Sequence, residues 1–270
     1  MILASDSSSA LWLGLPTACA YALTALIGPR LALHQGHRLL WVPWTLHGLG
    51  LIVAMLGPQE GGAHFGFAPA LSVTAWLMLT FYVLEQHWFP QLRTRWTLAI
   101  LGAAVVLLAA AFPGAPLHIA ASPWLPLHWA LGIASYGLFA AAVVHAWMMT
   151  RAEKNMRQAT DSPVGLPLLT LERLTFRFVS AGFVLLTATL AAGWLFGDSL
   201  YGAQAAWRWD HKTVFSVLSW VTFAILLIGR SRFGWRGRKA VRVLYIGTGL
   251  LLLGYVGSRF VLEVVLGRAV

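Results

Sequence analysis

Eight long apolar stretches, parted by short polar segments, leave this chain few folds to choose from. They cover residues 10–27, 39–56, 69–84, 96–112, 126–149, 174–196, 213–229 and 241–259. Each approaches the roughly 20 residues that a helix needs to cross hydrocarbon. The runs are continuous and do not alternate, which argues against a transmembrane β-barrel. Apolar residues make up 59% of the chain and charged residues 10%, with a mean hydropathy of +0.72. The expected fold is all-α: a polytopic bundle of about eight transmembrane helices, forming one membrane domain over residues 1–270. Such spans use up the chain and leave no room for a second, soluble domain.

The net charge of +10 would suit a nucleic-acid binder until it is mapped onto loops. Arg30, Arg38, Arg93, Arg95, Arg151, Lys154, Arg157, Arg173, Arg177, Arg230, Arg232, Arg236, Arg238, Lys239 and Arg242 all fall on alternate loops or their helix edges. Only Arg208, Lys212, Arg259 and Arg268 fall on the other side. Positive loops stay cytoplasmic, so both termini are expected outside. The excess charge is a topology signal with attraction to anionic lipid. Nucleic acid is not an expected partner. The N-terminus carries no positive segment before its apolar run, so the first span is expected to stay as an anchor. Cys19, the only cysteine, allows no intrachain disulfide and no Cys-x-x-Cys-His attachment site. Any haem must therefore be held non-covalently, as haem b.

A 36-residue block in the last third concentrates the unusual chemistry. It opens with Trp207-Arg208-Trp209-Asp210-His211-Lys212 at the mouth of the seventh span. It closes with Phe233-Gly234-Trp235-Arg236-Gly237-Arg238-Lys239-Ala240-Val241-Arg242 at the far end. It reads as an aromatic-rimmed site on one membrane face and an anchored basic loop on the other.

Nine histidines are the candidates for site chemistry. His34, His37 and His87 fall in or beside inner loops, and His64 and His118 in outer loops, where a polar interfacial role suffices. His145, near the inner end of the fifth span, is expected to snorkel to the interface. His47 lies midway along the second span, where an ionisable group is costly and marks a functional position. Its alternative is a neutral imidazole hydrogen-bonded between helices. Gly48 and Gly50 beside it permit close approach of a helix or a flat ligand. His128 opens the fifth span and His211 the seventh, both at the outer level. Two imidazoles there could supply both axial ligands of a haem iron. Trp207 and Trp209 would pack on the macrocycle, and Lys212 or Arg208 would pair its propionates. Asp210 is the nearest acceptor to orient a ligand imidazole. The alternative is an aromatic belt alone. Zinc is disfavoured, since no carboxylate or thiolate set accompanies the histidines.

The stretch Trp209-Asp210-x-Lys212, with Trp220, the Gly234-to-Ala240 element and Gly247, resembles the cytochrome c assembly superfamily of CcsA, CcmC and HemX-type membrane proteins. His128 followed by Tyr136 is similar to the opening of that family's first external haem-ligand helix. Leu171-Glu172-Arg173, His211-Lys212-Thr213-Val214-Phe215-Ser216 and Gly254-Tyr255-Val256-Gly257-Ser258-Arg259 resemble its YpjD-like inner-membrane members most closely. The resemblance covers about residues 40–266. It implies a multi-pass protein of the bacterial inner (cytoplasmic) membrane that takes part in c-type cytochrome biogenesis. It also implies haem handling at the periplasmic face. An apocytochrome or another cytochrome-maturation membrane protein is the implied partner, beside the lipid bilayer. His128 matches the first external histidine, and His47 stands where the membrane histidine is expected. His211 replaces the family's proline after Trp-Asp and is a substitute ligand. The last span ends without the second external histidine.

The expected function is thus coordination and presentation of haem, with no bond-making and no catalytic constellation. The alternatives are a non-catalytic accessory or regulatory membrane subunit whose haem site has decayed, and a transporter of some other solute.

Overall fold

The computed structural model describes residues 7–30, 39–56, 64–88, 96–116, 124–158, 167–197 and 209–267. Among them are eight principal helices: α1 (Ser7–Ile27), α2 (Trp41–Leu56), α3 (Phe67–Trp88), α4 (Trp96–Ala111), α5 (Leu125–Arg157), α6 (Leu168–Leu195), α7 (His211–Phe233) and α8 (Gly237–Leu252). Beyond α8 the chain continues through a π-helical turn, Leu253–Gly257, and a second, Val261–Val265. Six helices are long and apolar enough to cross a membrane, and α2 and α4 are shorter apolar helices. The fold is the expected all-α membrane bundle.

Helix boundaries exceed the apolar stretches where polar residues still suit a helix. α5 runs on through Lys154 and Arg157, cations that favour the negative end of a helix dipole. α3 reaches 22 residues. Asp210 fixes the start of α7, its Oδ1 accepting from Thr213 N at 2.8 Å. Gly234 ends it at φ 61°, in the left-handed region that favours glycine, and Trp235 N donates back to Gly229 O at 3.0 Å. The outer segments before α3 and after α4 meet in a short antiparallel pair, β1 (His64–Phe65) with β2 (Ala115–Pro116). Even there the backbone polar groups find partners in each other.

The chain divides into two compact units, Met1–His118 with Arg259–Val270, and Ile119–Ser258. In the first, α1 packs on α2 and α4, and α3 packs on the same two, so four helices close a ring. Trp44 and Trp76 stack across α2 and α3 with ring centroids 5.4 Å apart. Gly48 gives Trp76 its place, whereas Gly50 faces open space.

In the second unit α5, α6, α7 and α8 form a similar ring. Its centre is the face-to-face pair of Phe139 and Phe223, 3.8 Å between centroids, and both rings are wholly buried. Such a flat pair needs backbone on either side. Gly182 and Gly247 supply it, for a Cβ at either would press on a ring. Ser219 Oγ donates to Gly247 O at 2.8 Å and fixes α7 on α8.

Candidate functional site

The candidate residues fall into three separate neighbourhoods. The first is His47 in the ring of α1 to α4. Its Nδ1 lies 3.2 Å from the Tyr21 hydroxyl and its Nε2 2.8 Å from Ser72 Oγ. All three side chains are buried. Both ring nitrogens are thus engaged across helices, the arrangement that keeps a buried imidazole satisfied. An iron at His47 would have to displace one of these partners. Tyr21 and Ser72 were not singled out from the sequence, although a tyrosine amid the apolar first span was a visible irregularity.

The second neighbourhood is the end of the second unit where α5 and α7 begin. His128 is half-buried in the first turn of α5, and Lys212 is its electrostatic neighbour from the first turn of α7. Lys212 Nζ lies 5.2 Å from the Tyr255 ring centroid. Tyr136, two turns into α5, donates its hydroxyl to Leu251 O at 2.6 Å. That bond ties α5 to α8 just before the chain widens into the first π-helical turn, a geometry frequent at functional sites. The structure therefore brings together His128, Lys212 and Tyr255, with Tyr136 beneath them. His211 is exposed as the first residue of α7. Asp210 spends one oxygen on the helix cap. Trp209 is 70% exposed. Trp207, with His34, His37 and His118, lies outside the described residues.

The third neighbourhood is the basic turn between α7 and α8. Arg230 pairs with Glu172 of α6, and Arg236 Nε stands 3.5 Å from the same carboxylate. The Arg230 guanidinium covers Phe176 at 4.7 Å, and Lys239 Nζ covers Trp235 at 3.9 Å. Glu172 was visible only as part of a motif; its service to two arginines needed the packing of α6 on α7.

His145 departs from expectation. It does not snorkel: it is 1% exposed, and its Nδ1 donates to Ala141 O at 2.7 Å, one turn back in α5. Long α5 carries the chain well past it, so the position lies inside the bundle. Among the described residues no group of three or more His, Cys, Asp or Glu is placed to hold a metal ion. A haem asks less of the protein than such a group would, because its porphyrin supplies most of the iron's ligands and leaves one or two to side chains.

The family described as Cytochrome C assembly protein matches residues 37–266. An uncharacterized 28.8 kDa protein of Azospirillum brasilense is 32% identical over 236 residues, 80% of this chain and 85% of that one. Inner membrane protein YpjD of Escherichia coli K12 is 31% identical over 151 residues, 55% of this chain and 56% of its own. Cytochrome c biogenesis protein CcsA of Cyanophora paradoxa is 34% identical over 87 residues, 32% of this chain and 26% of its own. The chain thus spans about a quarter of that CcsA protein. No solved structure matches it.

Proposed function

The chain belongs to the cytochrome c assembly protein family, and from that premise we propose that it holds haem non-covalently at the periplasmic face in c-type cytochrome biogenesis. The protein resides in the bacterial inner membrane, as the name of its YpjD relative says of that protein. One observation carries the reading: a histidine, a lysine and a tyrosine drawn from three helices share one end of a bundle. The set fits the group. An imidazole suits a haem iron, a cation suits a propionate, and aromatic rings suit the macrocycle edge. Haem, once bound, supplies the redox-active iron that a cytochrome requires.

His128 is the primary ligand in this reading, and His211 the second. Lys212 would pair a propionate, and Trp209 and the Tyr255 ring would border the macrocycle; Trp207, the further aromatic candidate, lies outside the described residues. Asp210 sets where α7 begins and so where His211 and Lys212 stand. His47 is assigned a structural role, because both its nitrogens are occupied. The protein's part is to coordinate and present, and it makes no covalent bond.

A Soret band tests the reading. The full chain, purified in mild detergent from haem-replete cells, should carry one, and a His128→Ala variant should lose most of it. A wild-type protein without a Soret band after haem titration would overturn the proposal in favour of a non-catalytic accessory subunit.

A further inference from the structure

The basic turn at the other end of the second unit has its own chemistry. Arg230 and Arg236 are committed to Glu172, and Lys239 to Trp235. Arg238 and Arg242 are exposed and, among the described residues, take part in no ion pair. They stand one turn apart on α8 and so share a face.

That face is the one opposite the packed side of the helix. Ala240, Leu244, Gly247 and Leu251 recur at helical spacing and are buried. Rotated half a turn away are Arg238, Arg242, Tyr245, Ile246, Gly249 and Leu253. Tyr245 is 40% exposed, Ile246 57% and Leu253 50%. A Cβ at Gly249 would meet nothing within 4 Å, so the stripe has an open notch. Read along the axis, two guanidinium forks stand above a tyrosine, and the tyrosine above an apolar strip with a gap in it.

We propose that this face of α8 is a seat for an acidic phospholipid of the inner leaflet. Arg238 and Arg242 grip the headgroup phosphate, which their planar donors match. An acyl chain lies along Tyr245, Ile246 and Leu253 and passes over Gly249. Loop charge places this end of α8 on the cytoplasmic side, where anionic lipids attract juxtamembrane cations. A positive loop that served topology alone would need neither the committed and uncommitted division of its cations nor a notched apolar strip beneath the uncommitted pair. The inference is independent of haem.

The test uses the full chain in detergent micelles, titrated with dioleoyl phosphatidylglycerol or dioleoyl phosphatidylcholine. Native mass spectrometry reads bound lipid and a melting curve reads protection. Phosphatidylglycerol should stay bound and raise the melting midpoint, and phosphatidylcholine should do neither. The Arg238→Gln/Arg242→Gln pair should weaken phosphatidylglycerol binding by about thirtyfold, from roughly 1 kcal/mol per cation near an anionic surface. Gly249→Leu alters no charge and should also lower lipid retention, which keeps the test open if the double variant fails to fold. Soluble glycerol phosphate should give no protection. Equal effects of the two lipids would overturn the proposal. So would wild-type retention in the folded variants, or protection by glycerol phosphate as strong as by the lipid.

Discussion

His47 and Ser72 are joined by a 2.8 Å hydrogen bond between the imidazole Nε2 and the serine hydroxyl, deep in the first bundle. Tyr21 closes the other side of the ring at 3.2 Å. A polar chain across α1, α2 and α3 is what a neutral imidazole in hydrocarbon requires, and it supports the structural reading of His47.

Replacing His47 by Ala should therefore cost stability and spare haem. Intramembrane hydrogen bonds measure about 1 kcal/mol, and Ser72→Ala should lose a similar or smaller amount. Unfolding in mixed micelles measures the loss. A His47→Ala protein of wild-type stability that has lost its Soret band would instead make His47 a ligand.

His128 and His211 should act as a pair on one iron. Loss of either should abolish most of a low-spin haem spectrum, and loss of both should add little, because ligands of one metal act as a unit. Lys212→Ala should weaken haem retention without changing spin state, since its part is with the propionates. Absorption and electron paramagnetic resonance spectra separate these outcomes. A low-spin signal that survives His211→Ala would remove His211 from the site.

Glu172→Gln should destabilise the second unit by about 1–3 kcal/mol, the cost of leaving a partly buried cation short of its partner. Arg236→Gln should cost less than about 1 kcal/mol, since its side chain is 64% exposed and its approach is longer. Thermal melts of the two variants side by side check the order. Equal losses would mean that Arg236 carries the clamp and Arg230 adds little to it.

Gly247→Ala should destabilise by about 1–3 kcal/mol through overpacking. A Cβ there would sit 2.9 Å from the Phe223 ring, which the Phe139 stack holds in place. Gly249→Ala, two residues on and facing open space, should be close to neutral. Melting midpoints of the two proteins decide it.

Topology is checked apart from the site. Both termini should be periplasmic, so a C-terminal alkaline phosphatase fusion should be active and a C-terminal green fluorescent fusion dark. The reverse pattern would turn His128 and Lys212 to the cytoplasm and remove the basis for periplasmic haem.

The number of helices and their approximate places were legible along the chain because their causes are local, whereas several helix ends ran beyond the apolar stretches. Continuous apolar runs impose helix where no water can satisfy the backbone. Asp210 and Gly234 bracket α7 by chemistry that acts within a turn. Histidine roles were not legible in the same way. The sequence leaves His47 as either a functional histidine or a neutral imidazole bonded between helices; that Tyr21 and Ser72 are its partners, and at which nitrogen, depends on how α1, α2 and α3 are rotated against one another. His145 was misjudged because α5 extends past the apolar stretch that seemed to end beside it. Glu172 became the partner of Arg230 only once α6 lay on α7. The sequence by itself determined where helices run and where their charges fall, since hydrophobicity and capping are short-range. Tertiary structure alone decided which polar groups meet, since a pairing across helices depends on neighbour order and rotation, and no local pattern encodes either.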